Sequence, residues 1–536
     1  AQQCPAACAG GAVVVARRHR RDSPFLANPS PPNPTVLKSL RACGVARPLM
    51  ASGEDRISGL PDELLHAILF CVRSARDAVR TSVLSRRWRH ILVRPLPELV
   101  FEEGLGEPAP PQAPPPLESF LDNVDAAIAT CDAPVLKRLC IMWRGPLPTA
   151  AASRLPTSRV EPWLRLASER VVDDLHLHVF SPGRLVDGDE AVLELPLCEW
   201  VKSINLKFGV RWRIRPPSAG LFRALASLTI WVGRMDGSEL TSLVCTQCPG
   251  LRNLNLYFVL VDAFDISIGS KSLQSLDFSV LRTQRLEIVA PELEKLFIRN
   301  IVDEVRLTAP KLQELAWPIY HPICHKFDDV GRRLRILDCG KNAYLMQQFD
   351  EVDELRLDIS IPQEIFGYKR FLNETNRLPK CNLLNISLND RHALVPGMLH
   401  LLRSCNSMRN VSLNVECGNP LYNNITISFF QEHPCLPACP CLLEESYRID
   451  DIFLNSLEKV EITSYTSADE VVLEFVEFVE CLSRCNASNL KKVVIMWVEP
   501  APPPTKEVCQ KIRNVCQPNI EVGFAVLLDQ ELVLLD

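Results

Sequence analysis

The side chains of this sequence that are best suited to chemistry lie in a short loop rich in cysteine and proline. The stretch "HPCLPACPC" (433–441) contains His433, Cys435, Cys439 and Cys441, and all four are ligand types that zinc accepts. Structural zinc sites usually combine two separated pairs of ligands, whereas these four residues fall within one run interrupted by prolines. We therefore interpret the loop as a carrier of free thiols and predict no bound metal. A zinc site is the alternative.

Other candidate motifs for catalysis are weak or missing. "CTQC" (245–248) has the spacing of a redox pair, but Cys248 and Pro249 belong to a repeat turn described below, which favours a structural role. His176 and His178 flank Leu177 in a strand pattern and should face solvent. The sequence contains no glycine-rich phosphate loop, nucleophile elbow or H-E-x-x-H motif. We predict that the chain is not an enzyme and binds no cofactor.

Length and composition indicate a large globular chain with several domains. The 536 residues exceed what one compact core usually holds, and this length allows about two to four domains. The formal net charge of −5 does not favour nucleic acid or an anionic membrane as a partner. No stretch reaches the roughly 18 apolar residues of a membrane span. The 21 cysteines are scattered, which favours reduced thiols and therefore the nucleus or the cytoplasm.

The first 49 residues differ from the rest of the chain. They contain one acid, Asp22, beside several arginines and a proline-rich stretch, a composition typical of a transit peptide or a disordered leader. "MASGEDRISGLP", which begins at Met50, reads like a natural start. Residues 1–49 could therefore be upstream sequence with no role in the fold. We predict a disordered leader over 1–49 and leave open whether it belongs to the native protein.

Residues 55–101 have the pattern of three short amphipathic helices. Pro61 suits the first position of a helix, and apolar residues then recur on one face. A second helix is expected near 76–84, and Ser85 is a candidate N-cap for a third. Three helices in about 45 residues bury little of their own apolar surface, so a hydrophobic patch should remain for a partner. The segment is predicted to be a docking module.

Two submotifs of this segment resemble an F-box, the helical motif that binds the Skp-type adaptor of a cullin-RING ubiquitin ligase. They are "LPDELLHAIL" (60–69) and "DAVRTSVLSRRWRHI" (77–91), in the order that the family has. The chain departs from the family at "CVRSA" (71–75), where a Leu-Pro is usual. The resemblance implies an F-box over 50–101. Its adaptor-binding residues would be Leu60, Pro61, Leu64, Leu65, Ile68, Leu69, Val79, Val83, Leu84, Trp88 and Ile91.

A nucleic-acid interface is an alternative for the same window, because seven arginines lie between residues 73 and 94. A recognition helix also needs polar residues that read bases, such as Asn or Gln, and the window has none. We therefore predict no nucleic-acid partner. Trp88 is interpreted as an apolar anchor at the adaptor interface, with the arginines as its solvated rim.

A leucine-rich frame repeats through the middle of the chain. The frame is leu-x-x-leu-x-leu, with Val, Ile or Met allowed, and from Val201 to Val352 its copies follow at intervals of 18 to 26 residues. These intervals are close to the period of leucine-rich repeats. The last two apolar positions share the inward face of a short strand, so stacked units predict an irregular solenoid with a parallel sheet over 120–415. The frames begin at Leu136, Val172, Val201, Leu225, Leu251, Leu273, Leu293, Leu312, Leu334, Val352, Leu383, Met408, Leu457 and Leu490.

The outward positions of these strands form the natural binding surface. Exposed aromatic rings beside mixed charges suit a protein or peptide ligand. An ordinary solvated surface is the alternative for most of these positions, because few residues of an interface carry its affinity. The predicted target-binding residues are Lys207, Trp231, Tyr257, Asp277, Phe297, Arg299, Arg356 and Asp358.

The remaining segments complete the domain prediction. A proline-rich linker covers 102–119, and a loop containing cysteine and proline covers 416–450. Within 451–536, "LEKVEITSY", "DEVVLEFVEFVECLSRC" and "LKKVVIMWV" predict a strand, a helix and a strand. This order resembles the FBD domain that often follows leucine-rich repeats in plant F-box proteins. The predicted fold class is α+β and solenoid: a three-helix F-box, an irregular α/β leucine-rich-repeat solenoid and a strand–helix–strand FBD-like unit.

The combined resemblance to plant F-box, leucine-rich-repeat and FBD proteins implies a function. The chain would be the substrate-recognition subunit of an SCF-type (Skp–cullin–F-box) E3 ubiquitin ligase, with a Skp-type adaptor and an unidentified protein target as partners. It would supply no catalytic residue. A non-catalytic interaction scaffold that is not coupled to ubiquitylation is the main alternative. An enzyme with a novel site in the solenoid, and a small-molecule co-ligand on the repeat surface, are the others.

Overall fold

A computed structural model describes most of the chain from Glu98 onward. The predicted leader and all the predicted adaptor-binding residues lie outside the described residues. Within the described part, no helix has both the length and the apolar character needed to cross a membrane. Two compact units are present, one up to residue 181 with residues 200–202, the other formed by 182–199 and 203–536. The described residues are 98–103, 117–143, 155–179, 191–209, 211–318, 325–362, 366–388, 392–415, 439–465, 469–498, 505–528 and 531–535.

In its described residues, the first unit has three parallel strands and two helices. In chain order they are β1 (Glu98–Glu103), α1 (Leu117–Ala129), β2 (Leu136–Trp143), α2 (Thr157–Arg170) and β3 (Val171–Val179). β2 lies between β1 and β3 in the sheet. Trp163 of α2 is fully buried, and its indole N–H donates to Asp125 of α1 at 2.8 Å. The last residues of the predicted F-box segment, 98–101, therefore belong to a strand of this unit.

The second unit is built from short strands separated by brief return segments. Its first strands are β4 (Ala191–Glu194), β5 (Ser203–Lys207), β6 (Trp212–Arg215), β7 (Ser227–Met235), β8 (Asn253–Leu260), β9 (Asp265–Gly269), β10 (Ser275–Leu281), β11 (Arg285–Val289), β12 (Lys295–Ile298), β13 (Glu304–Thr308), β14 (Glu314–Ala316) and β15 (His325–Asp328). The later strands are β16 (Arg333–Gly340), β17 (Glu351–Ile359), β18 (Lys380–Leu388), β19 (Asn410–Val415), β20 (Lys459–Ser464), β21 (Lys492–Val498), β22 (Glu521–Leu528) and β23 (Glu531–Leu535).

The helices of this unit all lie in the return segments. They are α3 (Gly237–Ser242), α4 (Gly367–Glu374), α5 (Leu394–Ser404), α6 (Asp469–Arg484) and α7 (Lys506–Val515). A π-helical turn covers Leu243–Gln247, and 3₁₀ turns cover Ala343–Gln348, Pro440–Leu442 and Glu444–Tyr447.

One long parallel sheet organises the second unit. Its order is β5-β7-β8-β10-β12-β14-β16-β17-β18-β19-β20-β21-β22, and β23 closes it as an antiparallel strand. Each predicted frame from Val201 to Val352 begins within two residues of the start of a strand of this sheet. The frame leucines are buried; Leu251, Leu254 and Leu256, for example, are at most 2% exposed. The predicted solenoid with its parallel sheet is therefore confirmed for the described residues.

A second, four-stranded parallel sheet lies among the return segments, and the sequence analysis did not predict it. Its order is β15-β13-β11-β9. In chain order, each of these strands falls between two successive strands of the long sheet. Ile266, Ile268, Leu286 and Ile288 alternate with exposed or half-buried residues and point into the core. In this region the return segments are therefore strands, within the irregular α/β solenoid that was predicted.

Repeat length goes with the kind of return segment in two series of repeats, although the 18-residue interval from Leu334 to Val352 holds the 3₁₀ turn Ala343–Gln348. From Leu251 to Leu334 the frames are 19 to 22 residues apart, and every return segment contains a strand. Five extended residues span about 17 Å, whereas five helical residues rise only about 7.5 Å. A short return segment must run back along the length of a strand, and an extended chain reaches that distance whereas a helix of the same length does not. The frames from Val352 to Met408 are 25 or 31 residues apart, and their longer return segments hold α4 and α5.

The C-terminal part continues the same sheet. β20 pairs with β19 of the preceding repeat, and β21 and β22 follow in parallel. α6 runs between β20 and β21, with Phe475, Phe478 and Val479 buried at helical spacing. The predicted strand–helix–strand order is present, and in the second unit it extends the repeat sheet.

Candidate functional site

The outward face of the long sheet presents an ordered row of side chains. In each frame the residue between the last two apolar positions points away from the core, because neighbouring residues of a strand face opposite sides. The pairing register places these residues side by side on adjacent strands: Asp277 opposite Phe297, Phe297 opposite Ala316, Ala316 opposite Asp338, and Asp338 opposite Arg356. Residues that recur once per repeat in the sequence are therefore neighbours on one surface of the sheet.

An aromatic group with a cation lies at the β5 end of this surface. Lys207, Trp231 and Tyr257 are paired in register on β5, β7 and β8. Lys207 Nζ lies 4.5 Å from the centre of the Trp231 ring, and the rings of Trp231 and Tyr257 are 5.2 Å apart. Both rings remain more than 40% exposed. Large rings held in place but left open to solvent are suited to burial by a partner.

An ion pair occupies the middle of the surface. Arg299 Nε and Nη2 donate to the two carboxylate oxygens of Asp277 at 2.9 and 3.0 Å, and these hydrogen bonds raise the pKa of the guanidinium above its usual value. The guanidinium carbon also lies 5.8 Å from the centre of the Phe297 ring. A planar, oriented cation beside an aromatic ring can recognise a carboxylate or a backbone carbonyl of a bound chain.

A second group of charges lies on β16 and β17. Asp338 faces Arg356 across the two strands, and Arg356 Nε donates to Glu354 at 2.6 Å. Burial raises the pKa of the Asp338 carboxyl, although the Gly340 N–H and the charges of Arg356 and Arg299 oppose the shift. Asp338 is not among the residues predicted from the sequence. It occupies the same outward frame position as Asp277, so that position within the repeat was the signal that could have found it.

The structure brings the eight predicted target-binding residues onto one face but not into one cluster. Lys207, Trp231 and Tyr257 form the first group, and Asp277, Phe297 and Arg299 form the second. Arg356 and the half-buried Asp358 share β17, three strands beyond Phe297. Lys207, Trp231 and Tyr257 lie two residues further along their strands than Asp277 and Phe297 do, since Tyr257 pairs with Ser279. With about 4.8 Å between strands, the surface from Lys207 to Arg356 extends for about 34 Å across the sheet. A surface of this length suits an extended partner, and whether these residues bind a target remains a prediction.

The thiol motifs lie elsewhere. Cys248 is buried, which raises the pKa of its thiol to about 12, whereas Cys245 is exposed and accepts from the Gly269 N–H at 3.1 Å. Both belong to the repeat turn between β7 and β8. His433 and Cys435 lie outside the described residues, but Cys439 and Cys441 are described and lie beside His392, a residue that the sequence analysis did not select.

Comparison with known proteins agrees with this architecture. Residues 160–317 match a family described as FBD-associated F-box protein At5g56370, LRR repeats. The F-box/FBD/LRR-repeat protein At2g04230 of Arabidopsis thaliana is 30% identical over 271 residues, which cover 49% of this chain and 57% of that protein. A protein named as an FBD-associated F-box protein (At5g50270) is 24% identical over 460 residues, 82% of this chain and 96% of its own length, in the same plant. The F-box/LRR-repeat protein At3g03360, also from Arabidopsis thaliana, is 26% identical over 303 residues, 53% of this chain and 57% of its own length.

The fold and its outward surface define a leucine-rich-repeat protein. The matches add a second feature, because all three relatives are F-box proteins by name. The similarity to one of them extends over most of both chains. The chain is thus similar to plant proteins named for an F-box, leucine-rich repeats and an FBD domain, and residues 160–317 match the leucine-rich-repeat part of that group. With two of the three relatives, the match covers little more than half of the relative's own length.

Proposed function

We propose that this protein is the substrate-recognition subunit of an SCF-type E3 ubiquitin ligase. The F-box residues between Leu60 and Ile91 would dock a Skp-type adaptor, and the outward face of the repeat sheet would hold a protein target. This role places the protein in the nucleus or the cytoplasm, where that machinery works. The similarity to proteins named as F-box proteins supports an adaptor-type role in general, and the coupling to ubiquitylation is our proposal.

One observation carries the target-binding half of the proposal. The outward surface from Lys207 to Arg356 combines two exposed rings, a bidentate ion pair and further charges on one sheet. Interfaces are enriched in Tyr, Trp and Arg at the positions that carry affinity, and Trp231, Tyr257 and Arg299 supply these three types. Because parallel pairing fixes their spacing, a target would bind without much ordering of the surface.

The mechanism of such a subunit is positional. A bound target would be held near the ubiquitin-conjugating enzyme of the ligase, so that transfer to a target lysine becomes effectively intramolecular. This chain would orient the target, and the acid–base and nucleophilic steps would take place on other subunits.

The adaptor half is tested by co-expressing the full chain with a Skp-type adaptor and purifying the complex. We expect the wild type to co-purify, and the Leu64→Glu/Leu65→Glu variant to lose the adaptor because two charges replace the centre of the apolar stripe. The Trp231→Ala/Tyr257→Ala variant is the matched control and should keep the adaptor. If the wild type does not bind the adaptor, the unusual "CVRSA" segment at 71–75 would be the first explanation, and the scaffold alternative would replace the ligase.

The target half is tested in plant cells with the proteasome inhibited, by comparing proteins that co-purify with each variant. Wild type should retain ubiquitin-modified partners, and the Trp231→Ala/Tyr257→Ala variant should lose these partners. Tyr344→Ala/Phe366→Ala is the control, since both side chains are exposed aromatics on return segments. Leu64→Glu/Leu65→Glu should keep the partners without their ubiquitin. Partners that never carry ubiquitin in the wild type would support the scaffold instead.

A further inference from the structure

Three potential metal ligands meet in the second unit although they are far apart in the sequence. His392 lies just before α5, and Cys439 and Cys441 flank Pro440 at the start of a 3₁₀ turn. Their ligand atoms all lie within 4.8 Å of one another. All three residues are buried, with exposed fractions of 7%, 3% and 2%. No disulfide joins the two cysteines.

The hydrogen bonds of His392 orient the ring for coordination. Its Nδ1 lies 3.0 Å from the carbonyl oxygen of Ile361, which can only accept, so Nδ1 carries the proton. The lone pair of Nε2 therefore points at the thiols, with Sγ of Cys439 at 3.4 Å and Sγ of Cys441 at 3.3 Å. Metal-binding histidines commonly have this arrangement, in which a backbone carbonyl holds the nitrogen that does not coordinate.

The two nitrogen–sulfur distances are close to those of a tetrahedral zinc site. With Zn–N near 2.1 Å and Zn–S near 2.3 Å, the edge between nitrogen and sulfur is about 3.6 Å. The observed edges of 3.3 and 3.4 Å need to open only slightly. A single lone pair on Nε2 now faces two thiols, whereas an ion between the three atoms would be bound by all of them.

The charge balance also suits a buried site. On binding Zn²⁺ the two thiols release two protons and become thiolates, and the neutral imidazole adds no charge. The two negative sulfurs and the divalent ion then cancel, so the complex has no net charge that burial would penalise.

We propose, against our interpretation of the loop as a carrier of free thiols, that His392, Cys439 and Cys441 form a zinc site. These three residues, which are the candidate ligands among the described part of the chain, supply three of the four positions of a tetrahedral site. The ion would tie the segment that leads into β20 to the start of α5 in the preceding repeat. Its role would be structural: it would fix how the C-terminal strands join the repeats. The proposal does not depend on adaptor or target binding.

The first test measures metal binding by the full-length chain with its thiols reduced. We expect about one Zn²⁺ per chain, and X-ray absorption of the zinc-loaded wild type should show two sulfurs and one imidazole nitrogen. Co²⁺ in place of zinc should produce the visible bands and the sulfur-to-metal charge transfer of a tetrahedral thiolate site. These measurements on the wild type do not depend on any variant folding.

The second test compares variants in competition with a chelator. His392→Gln and Cys439→Ala/Cys441→Ala should lower zinc affinity by more than about 100-fold, because each removes ligands directly. His400→Gln, on the α5 helix that follows His392, and Cys339→Ala/Cys485→Ala, which removes two other buried thiols, are the controls and should keep the site. Chelation should lower the thermal midpoint of the wild type and leave that of the site variants unchanged. Binding below about 0.1 ion per chain, a coordination shell without two sulfurs, or unaltered affinity in the site variants would overturn the proposal.

Discussion

Trp231 and Tyr257 lie directly opposite each other on adjacent parallel strands, with their ring centres 5.2 Å apart and both rings open to solvent. An exposed pair of large rings contributes little to the core. The strand register nevertheless fixes the backbone positions from which the two rings project. The pair should therefore matter more for the surface than for the stability of the fold.

Trp231→Ala should lower the free energy of unfolding by only about 1 kcal/mol, the value of one exposed ring contact and one cation–π contact. Trp212 is fully buried one strand away, and Trp212→Ala should cost about 3–5 kcal/mol because it opens a cavity. Urea titration monitored by circular dichroism compares the two. Equal losses for both variants would mean that Trp231 is part of the core.

The ion pair between Asp277 and Arg299 should couple weakly and depend on salt. A double-mutant cycle with Asp277→Asn and Arg299→Gln should give about 0.5–1 kcal/mol at low ionic strength, since the pair is bidentate but partly exposed. In 1 M salt the coupling should fall towards zero. The Glu292–Lys311 pair is the control. Its coupling should be smaller because Lys311 reaches both Glu292 oxygens from a single nitrogen on a flexible stem, without the planar two-nitrogen fork of arginine. A salt-independent value would contradict this account.

His400 should make the protein less stable in mild acid. Its ring is largely buried and donates to the Thr375 hydroxyl at 3.0 Å, since that hydroxyl already donates to the Phe371 carbonyl. Burial, helped by the charge of Arg403, lowers its pKa from 6.5 to about 4. The unfolded chain therefore takes up a proton below pH 6.5 that the folded chain does not bind until about pH 4. Stability is lost over that interval.

The size of this loss is about 2 kcal/mol after allowance for the partial exposure of the ring. We expect the difference in unfolding free energy between wild type and His400→Gln to shrink by this amount from pH 7 to pH 4. Chemical denaturation across that range measures it. Parallel pH profiles for the two proteins would show that His400 does not titrate as described.

Gly340 should not tolerate a side chain. Its φ is +48°, a left-handed conformation, and an added Cβ would lie 2.4 Å from the Cα of Pro318. Gly340→Ala should therefore cost about 3 kcal/mol from backbone strain and the clash together. Gly523→Ala is the control, because its Cβ would meet Val494 at 4.0 Å, an ordinary contact, and should change stability by less than about 1 kcal/mol. Comparing the thermal midpoint of each variant with that of the wild type measures both effects, and equal shifts for the two variants would contradict the prediction.

The repeat frame predicted the strands of the long sheet but not those of the second sheet. Leu251, Leu273 and Leu293 each precede a strand of the long sheet, as their spacing predicted. The same reasoning did not reveal the second sheet, although "DISIG" (265–269) and "RLEIV" (285–289) alternate in the way that strands do. A five-residue apolar alternation is too short to distinguish a strand from a turn of helix, so the period of the repeat had to be combined with the reach of the backbone.

The sequence by itself determined the repeats, the inward leucines and the outward positions, because a period of two along a strand follows from backbone geometry alone. The tertiary structure alone decided which side chains meet. Register across the strands placed Asp338 beside Arg356, and folding brought His392 to Cys439 and Cys441. Contacts between residues so far apart depend on how whole repeats stack and where their return segments end, and neither is written in any local pattern of the chain.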